Sequence, residues 1–307
     1  MKTNAIFRII LFSLALLFLL GILLTGLAAG YLVNNAGKIS TSMISSLISG
    51  DSDEQTYEKN FWNNFTSGDT IDFAASVDAG KIRNISIDWV AGSITIQPGK
   101  NNRITISESE VSNDKNKLIW KQSGDKLVIQ YCELDWNFLG INLTTDIRKD
   151  LVINVPADWI CDSLEINTAS AQVSITDLTI GELDFDGGSG SCHFKNCTVD
   201  EIDLDTASGD MHFSGELNVL DCDAASASIN LVLTNVPKRI DLNTASGDLD
   251  LTLPENCGFS VSLDTMSGDF SSDFPTTMAA GNHLHGDGYC RINVTAMSGD
   301  VIIRKGK

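Results

Sequence analysis

The stretch Asp205-Thr206-Ala207-Ser208-Gly209-Asp210 decides the fold, because it returns along the chain at a nearly constant interval. Asn243-Thr244-Ala245-Ser246-Gly247-Asp248 repeats it. Asp264-Thr265-Met266-Ser267-Gly268-Asp269 and Thr295-Ala296-Met297-Ser298-Gly299-Asp300 are variants. Asn167-Thr168-Ala169-Ser170 precedes them, and Asp186-Gly187-Gly188-Ser189-Gly190 and Asp223-Ala224-Ala225-Ser226-Ala227-Ser228 are degenerate copies. The shared serine stands at 170, 189, 208, 226, 246, 267 and 298, in steps of 19, 19, 18, 20, 21 and 31 residues. The last step leaves room for a loop around Ala279 to Tyr289. Ile85 to Ile96 holds a vestigial copy, Ala91-Gly92-Ser93, before an apolar alternation.

Both flanks of the turn alternate with period two. Before it stand Leu164/Ile166, Leu183/Phe185, Ile202/Leu204, Leu220/Cys222, Ile240/Leu242, Val261/Leu263 and Ile292/Val294. After it stand Val173/Ile175, Cys192/Phe194, Met211/Phe213, Ile229/Leu231, Leu249/Leu251 and Val301/Ile303. Such alternation marks half-buried strands, and no long 3.6-residue pattern competes with it. A rung of about 19 residues at ~3.3 Å each closes a narrow coil of ~60 Å. One rung cannot bury its own apolar face, but stacked rungs can. Because every repeat runs strand, turn, strand in the same order, the stacking is expected to be parallel. The expected fold is all-β: a right-handed parallel β-helix-like solenoid of ~19-residue rungs, whereas propeller blades need ~40 residues per unit. Glycine in the turn supplies positive φ, and the flanking Ser and Asp can bond nearby backbone N–H groups.

One N-terminal transmembrane helix is expected before the solenoid. Ile9 to Ala29 is 21 residues without a charge, and about 20 helical residues cross a hydrocarbon core of ~30 Å. Lys2 and Arg8 precede it, while Lys38 and then the acidic run Asp51, Asp53 and Glu54 follow, which favours a cytoplasmic N-terminus and an exported body. A cleaved signal peptide is the alternative, since Leu27-Ala28-Ala29-Gly30 offers small residues, but signal cores usually run about 7–15 residues. The chain thus divides into a cytoplasmic tip and membrane helix (1–32), a polar stalk (33–80) and the solenoid (81–307).

The full chain carries 40 acidic against 21 basic residues, a formal charge of −19, which argues against nucleic-acid binding and favours cationic partners. Its seven cysteines are too few for a chain this size to be a small disulfide scaffold.

On its recurrent turns at 206–210 and 244–248, their Met-Ser-Gly-Asp variants and the strand spacing, the chain resembles the bacterial putative-adhesin, β-strand-repeat domain of unknown function. The resemblance covers roughly residues 81–307. It implies the repeat fold and a cell-envelope setting near stress-response systems, and it brings no catalytic residues. Gln172, Ser191 and Ser228 depart from the turn aspartate.

Acidic residues crowd the outward positions of the pre-turn strand. Asp184, Asp186, Asp203, Asp205, Asp221 and Asp223 share two columns over three rungs, where registered rungs would stack like charges about 4.8 Å apart. A solvated face, a divalent cation such as calcium, and a cationic ligand are the three readings. His193 and His212 occupy equivalent outward positions, a candidate for a shared transition metal. Cys192 and Cys222 fall inward as buried thiols, and Cys257 with Cys290 is the preferred cross-rung disulfide. No nucleophile elbow, zinc-protease helix, phosphate loop or dinucleotide fingerprint is present. Ser112-Asn113-Asp114-Lys115 has Ser/Lys-hydrolase spacing without the other elements that chemistry needs.

The expected function is a non-catalytic, membrane-anchored binding or sensing module of the bacterial cell envelope, meeting cationic peptides or wall polymer. One alternative is a structural or regulatory partner of membrane stress-response proteins, and another is a polysaccharide-processing enzyme.

Overall fold

The computed structural model describes residues 74–109, 117–131 and 148–306. Residues 71–307 form one compact unit. The expected membrane span, most of the stalk and the Ser112–Lys115 motif lie outside the described residues. Among the described residues no helix is long and apolar enough to cross a membrane.

The first strands are β1 (Ala74–Asp78), β2 (Asn84–Pro98), β3 (Arg103–Glu108), β4 (Ile119–Ser123), β5 (Lys126–Gln130) and β6 (Lys149–Val155). The middle of the solenoid comprises β7 (Ile160–Thr176), β8 (Thr179–Ser189), β9 (Cys192–Ser208), β10 (Met211–Ser226), β11 (Ile229–Leu233), β12 (Arg239–Ser246) and β13 (Leu249–Leu253). It ends with β14 (Phe259–Ser267), β15 (Phe270–Ser272), β16 (Thr277–Ala279), β17 (Asn282–His285), β18 (Cys290–Ser298) and β19 (Val301–Lys305).

The pre-turn halves pair in the order β4–β5–β2–β7–β8–β9–β10–β12–β18–β14–β17–β16. The post-turn halves pair as β1–β3–β6–β2–β7–β9–β10–β11–β13–β19–β15. Rung on rung, the pairing is parallel and in register: Ser208 lies opposite Ser189 and Ser226, and Ser246 opposite Ser226 and Ser298. The vestigial copy is a full rung, because β2 stacks along β7 from Asn84 to Ile96.

Rung order departs from chain order at both ends. β18 and β19 slot between β12/β13 and β14/β15, so the last Ser-Gly-Asp turn stacks inside the penultimate one. Likewise β2 lies between β5/β6 and β7. The 31-residue step holds an antiparallel hairpin, β16–β17, that lies against the start of β14. β1, in the stretch assigned to the stalk, pairs antiparallel with β3.

The inward positions of both flanks form one core, with Leu164, Ile202, Leu220, Met211, Leu249 and Val301 all at 1% exposure or less. Leu263, in the end rung, is only half-buried. Fully burying a Leu or Ile contributes about 1.5–3 kcal/mol, so stacking is what stabilises each rung.

Side-chain and backbone contacts fix the turn motif. Thr206 and Thr244 point inward, and each donates its hydroxyl to the carbonyl two residues on (Ser208 and Ser246, both 3.1 Å). Gly209 has φ 140°, and a Cβ there would lie 2.0 Å from the Gly190 carbonyl oxygen of the adjacent rung. The turn aspartate reaches to the neighbouring rung. Asp210 Oδ1 accepts from the Ser228 N–H (3.1 Å), Asp248 Oδ1 from Asp300 N–H (2.8 Å), and Asp300 Oδ1 from Asp269 N–H (2.8 Å). This aspartate therefore fastens one rung to the next, and Ser228, which stands in its place, donates its N–H to such a bond.

Candidate functional site: an acidic ladder

Alternation along the pre-turn strands sends every second side chain outward, and parallel register then stacks those side chains into columns. One column runs Glu165, Asp184, Asp203, Asp221, Asp241. The next runs Asp88, Asn167, Asp186, Asp205, Asp223, Asn243. Glu182 and Glu201 stand opposite each other in a third. All six aspartates proposed from sequence are thus brought onto one face.

The ends of the ladder are neutralised by the chain itself. At one end Lys126 Nζ lies 3.0 Å from Glu165 Oε2, and Ser86 donates to the same oxygen at 2.9 Å. At the other, the Arg239 guanidinium bonds Asp241, reaches Asp221 Oδ2 at 3.3 Å and stands 4.0 Å from Glu201 Oε1. Amides bridge other steps: Asn243 donates to Asp223 at 2.9 Å, Asn293 to Asp241 at 2.6 Å, and Asn167 to Asp88 at 3.1 Å.

Between those ends carboxylates face carboxylates. Partial burial, then Asp186, Glu165, Asp203 and Glu182, push Asp184 up to about 7. Burial, then Asp186, Asp203, Asp223 and Asp184, push Asp205 up to about 7 as well. Asp203 and Asp221 are raised too, first by burial; Arg239 opposes the rise at Asp221. Glu165 is lowered: burial opposes its charge, but Lys126, Ser86 and Asn167 together outweigh burial. Asp184 is exposed and Asp205 half-buried, so water screens part of this repulsion. The face is a strip of negative charge on which Asp184, Asp203, Asp205 and Asp221 hold protons more tightly than isolated carboxylates do.

Nothing on it converges as a chelate. Among the described residues no three His, Cys, Asp or Glu side chains are grouped to hold a metal ion. His193 and His212 lie opposite each other as expected, with rings stacked at 5.0 Å and 6° between planes. Cys192 and Cys222 are buried thiols, the first pushed up to about 12 by burial. Cys257 and Cys290 occupy neighbouring rungs, where the Cys290 N–H donates to Gly258 O at 3.0 Å. Both are buried, free thiols, so the proposed bridge is not formed here.

A second cluster left no trace in the sequence pattern. Lys149 and Glu108, 41 positions apart, form a buried ion pair of 2.7 Å with side chains 5% and 2% exposed. The Lys149 ammonium also bonds the Tyr131 carbonyl and lies 4.0 Å from the Tyr131 ring centroid and 4.9 Å from that of Trp89. Glu108 accepts the Leu118 N–H at 2.8 Å, and Trp89 donates to the Lys149 carbonyl at 3.1 Å. These residues sit where β2, β3, β5 and β6 meet, and only tertiary structure joins them.

Two stretches of the chain, 82–217 and 214–304, match the model of the Toastrack DUF4097 family. The chain belongs to that family. In this Toastrack chain the two matched stretches meet within β10, so the ladder crosses their junction, with Asp203 and Asp205 before it and Asp221 and Asp223 after it. No curated protein matches the chain.

Solved structures similar to it include the following three. A putative cell adhesion protein from Clostridium sporogenes shares 13% identity over 76% of this chain and 98% of its own, at a TM-score of 0.33. A putative lipid binding protein from Parabacteroides distasonis shares 12% over 76% and 96%, at 0.39. A putative adhesin from Bacteroides fragilis shares 11% over 76% and 96%, at 0.35. Likeness at this level leaves the function of the Toastrack chain to its own residues.

Proposed function

We propose that this protein is a non-catalytic binding module of the bacterial cell envelope, held at the membrane by residues 9–29, which presents the acidic ladder to a polycationic partner. The observation that carries the reading is the in-register stack of Asp184, Asp203 and Asp221 beside Asp186, Asp205 and Asp223. Charges repeated every ~4.8 Å along a rigid face suit an extended cationic peptide or polymer that lays successive charges along it. A single ion needs ligands converging on one point, whereas these carboxylates stand in rows. The coil is taken as right-handed, the sense of about 98% of parallel crossover connections.

The test is calorimetric titration of the full chain in detergent with polylysine, at two sodium chloride concentrations. The expected result is binding that weakens with salt and is largely lost in a variant carrying Asp184→Asn, Asp203→Asn and Asp205→Asn. Undiminished binding by that variant would overturn the assignment. Calcium, compared with sodium chloride at equal ionic strength, is expected to add nothing specific to thermal stability. Protease added to spheroplasts should digest the body and spare residues 1–32, and a protected body would reverse the orientation.

A further inference from the structure

The two ends of the solenoid are finished differently. At the N-terminal end, antiparallel strands cover both edges: β4 lies along all of β5, and β3 and β1 lie beyond β6. At the C-terminal end, β17 covers only Phe259–Val261 of β14. Among the described residues no strand lies beyond Thr265, the Ser267-Gly268-Asp269 turn or β15.

This end keeps the template of an internal rung without a successor. Each turn aspartate before it accepts a backbone N–H from the next rung, as Asp248 does from Asp300 and Asp300 from Asp269. The carboxylate of Asp269 is the last of that series, and it is exposed. Thr244, in the interior, donates its hydroxyl to Ser246, whereas Thr265 Oγ1 at the end is buried with no hydrogen-bond partner. Beside it, Leu263, Thr265, Gly268, Asp269 and Phe270 of the rung and Met278 and His283 of the β16–β17 hairpin line an open cavity of about 460 Å³. Phe270 stacks on His283 at 4.1 Å, and Met278 and Met266 are 63% and 58% exposed. An exposed edge flanked by exposed apolar side chains is a template for strand addition, and proteins normally cover or charge such edges.

We propose that this edge receives an extended segment of a partner protein in which apolar and basic residues alternate, added as one further strand. Its apolar side chains enter the cavity against Leu263 and Phe270. Its basic side chains lie on the outward face, and one of its N–H groups bonds Asp269. Charge decides the occupant. Residues 259–272 include Asp264 and Asp269 and no Lys or Arg, and the hairpin 277–285 has none either. A second copy meeting this edge two-fold would bring two more aspartates and no basic residue to the same seam, which is unfavourable. Backbone pairing supplies affinity in strand addition, and alternate side-chain pockets supply specificity.

The probe is a short synthetic peptide of alternating lysine and valine, titrated into the full chain in detergent with hydrogen exchange followed by mass spectrometry. The expected result is slowed exchange across 265–272, in the unaltered chain and equally when the ladder aspartates are replaced by asparagine. Affinity should fall about tenfold or more when the valine amides are N-methylated, when the same residues are arranged in blocks, or in the exposed-site variant Met278→Lys. The variant with Asp184→Asn, Asp203→Asn and Asp205→Asn should retain this edge binding, which separates it from the ladder. Protection confined to the ladder, equal binding of the block peptide, or self-association of the chain through 265–272 would each overturn the proposal.

Discussion

Asp203 of β9 is the register partner of Asp184 of β8, on the same outward face and one strand spacing away. A proton held on Asp184 removes one of two facing charges, so the fold favours protonation of Asp184, and of Asp205 beside it. The direction follows from linkage. Asp184 and Asp205, ordinarily at 3.8, are raised to about 7 in the fold, so the folded chain binds more protons than the unfolded chain between those values. Their contribution to stability is fully present below about pH 4 and is lost as pH rises through about 7. Between pH 8 and pH 5.5, the melting temperature of the chain should therefore rise on acidification. Glu165, shifted the other way, opposes this only at lower pH. Asp184→Asn with Asp205→Asn should flatten the profile, and a melting temperature that falls over the same window would contradict the assignment.

Gly209→Ala should destabilise by well over ~1 kcal/mol, because the left-handed φ is strained for alanine and the new Cβ meets the Gly190 carbonyl at 2.0 Å. Gly80→Ala, whose Cβ would meet only a side-chain oxygen at 3.5 Å, is the control and should be nearly neutral. Denaturant midpoints of the two variants make the comparison.

Replacing Lys149 by Met should cost about 3–5 kcal/mol, since it strands the Glu108 carboxylate in the interior. The double variant Lys149→Met with Glu108→Gln should recover part of that loss, and a double-mutant cycle on urea unfolding measures how much.

Arg239→Gln should destabilise by about 0.5–1 kcal/mol at low ionic strength, because Asp221, Asp241 and Glu201 then face one another without the guanidinium. The loss should shrink in added salt as the carboxylates are screened. Salt-independence would place the effect of Arg239 in packing.

The rungs and their inward and outward faces were legible because period two and a recurrent Ser-Gly-Asp turn are local signals. A slip of one residue would turn Asp203 and Asp205 into the core and Ile202 and Leu204 out of it, so the alternation itself pins the register. The acidic columns followed from the same two facts. Rung order at the ends was not legible, since nothing in residues 290–305 states that their neighbours are 239–253 on one side and 259–272 on the other. The Lys149–Glu108 pair stayed hidden because lysine and glutamate in alternating strands read as outward residues. Leu263 read as core and is half-buried, because the cover of its rung stops at Val261.

The placement of β18 and β19 sets a condition on synthesis. A chain emerging from the ribosome in order would have β12, β13, β14 and β15 in hand while the strands that separate them are still unmade. Neither pair can take its final neighbour until residues 290–305 arrive, so until then the growing solenoid carries an open edge at β12 and β13 as well as at β14 and β15. Those residues act as a keystone: deleting them would not shorten the stack by one rung but would part it in two.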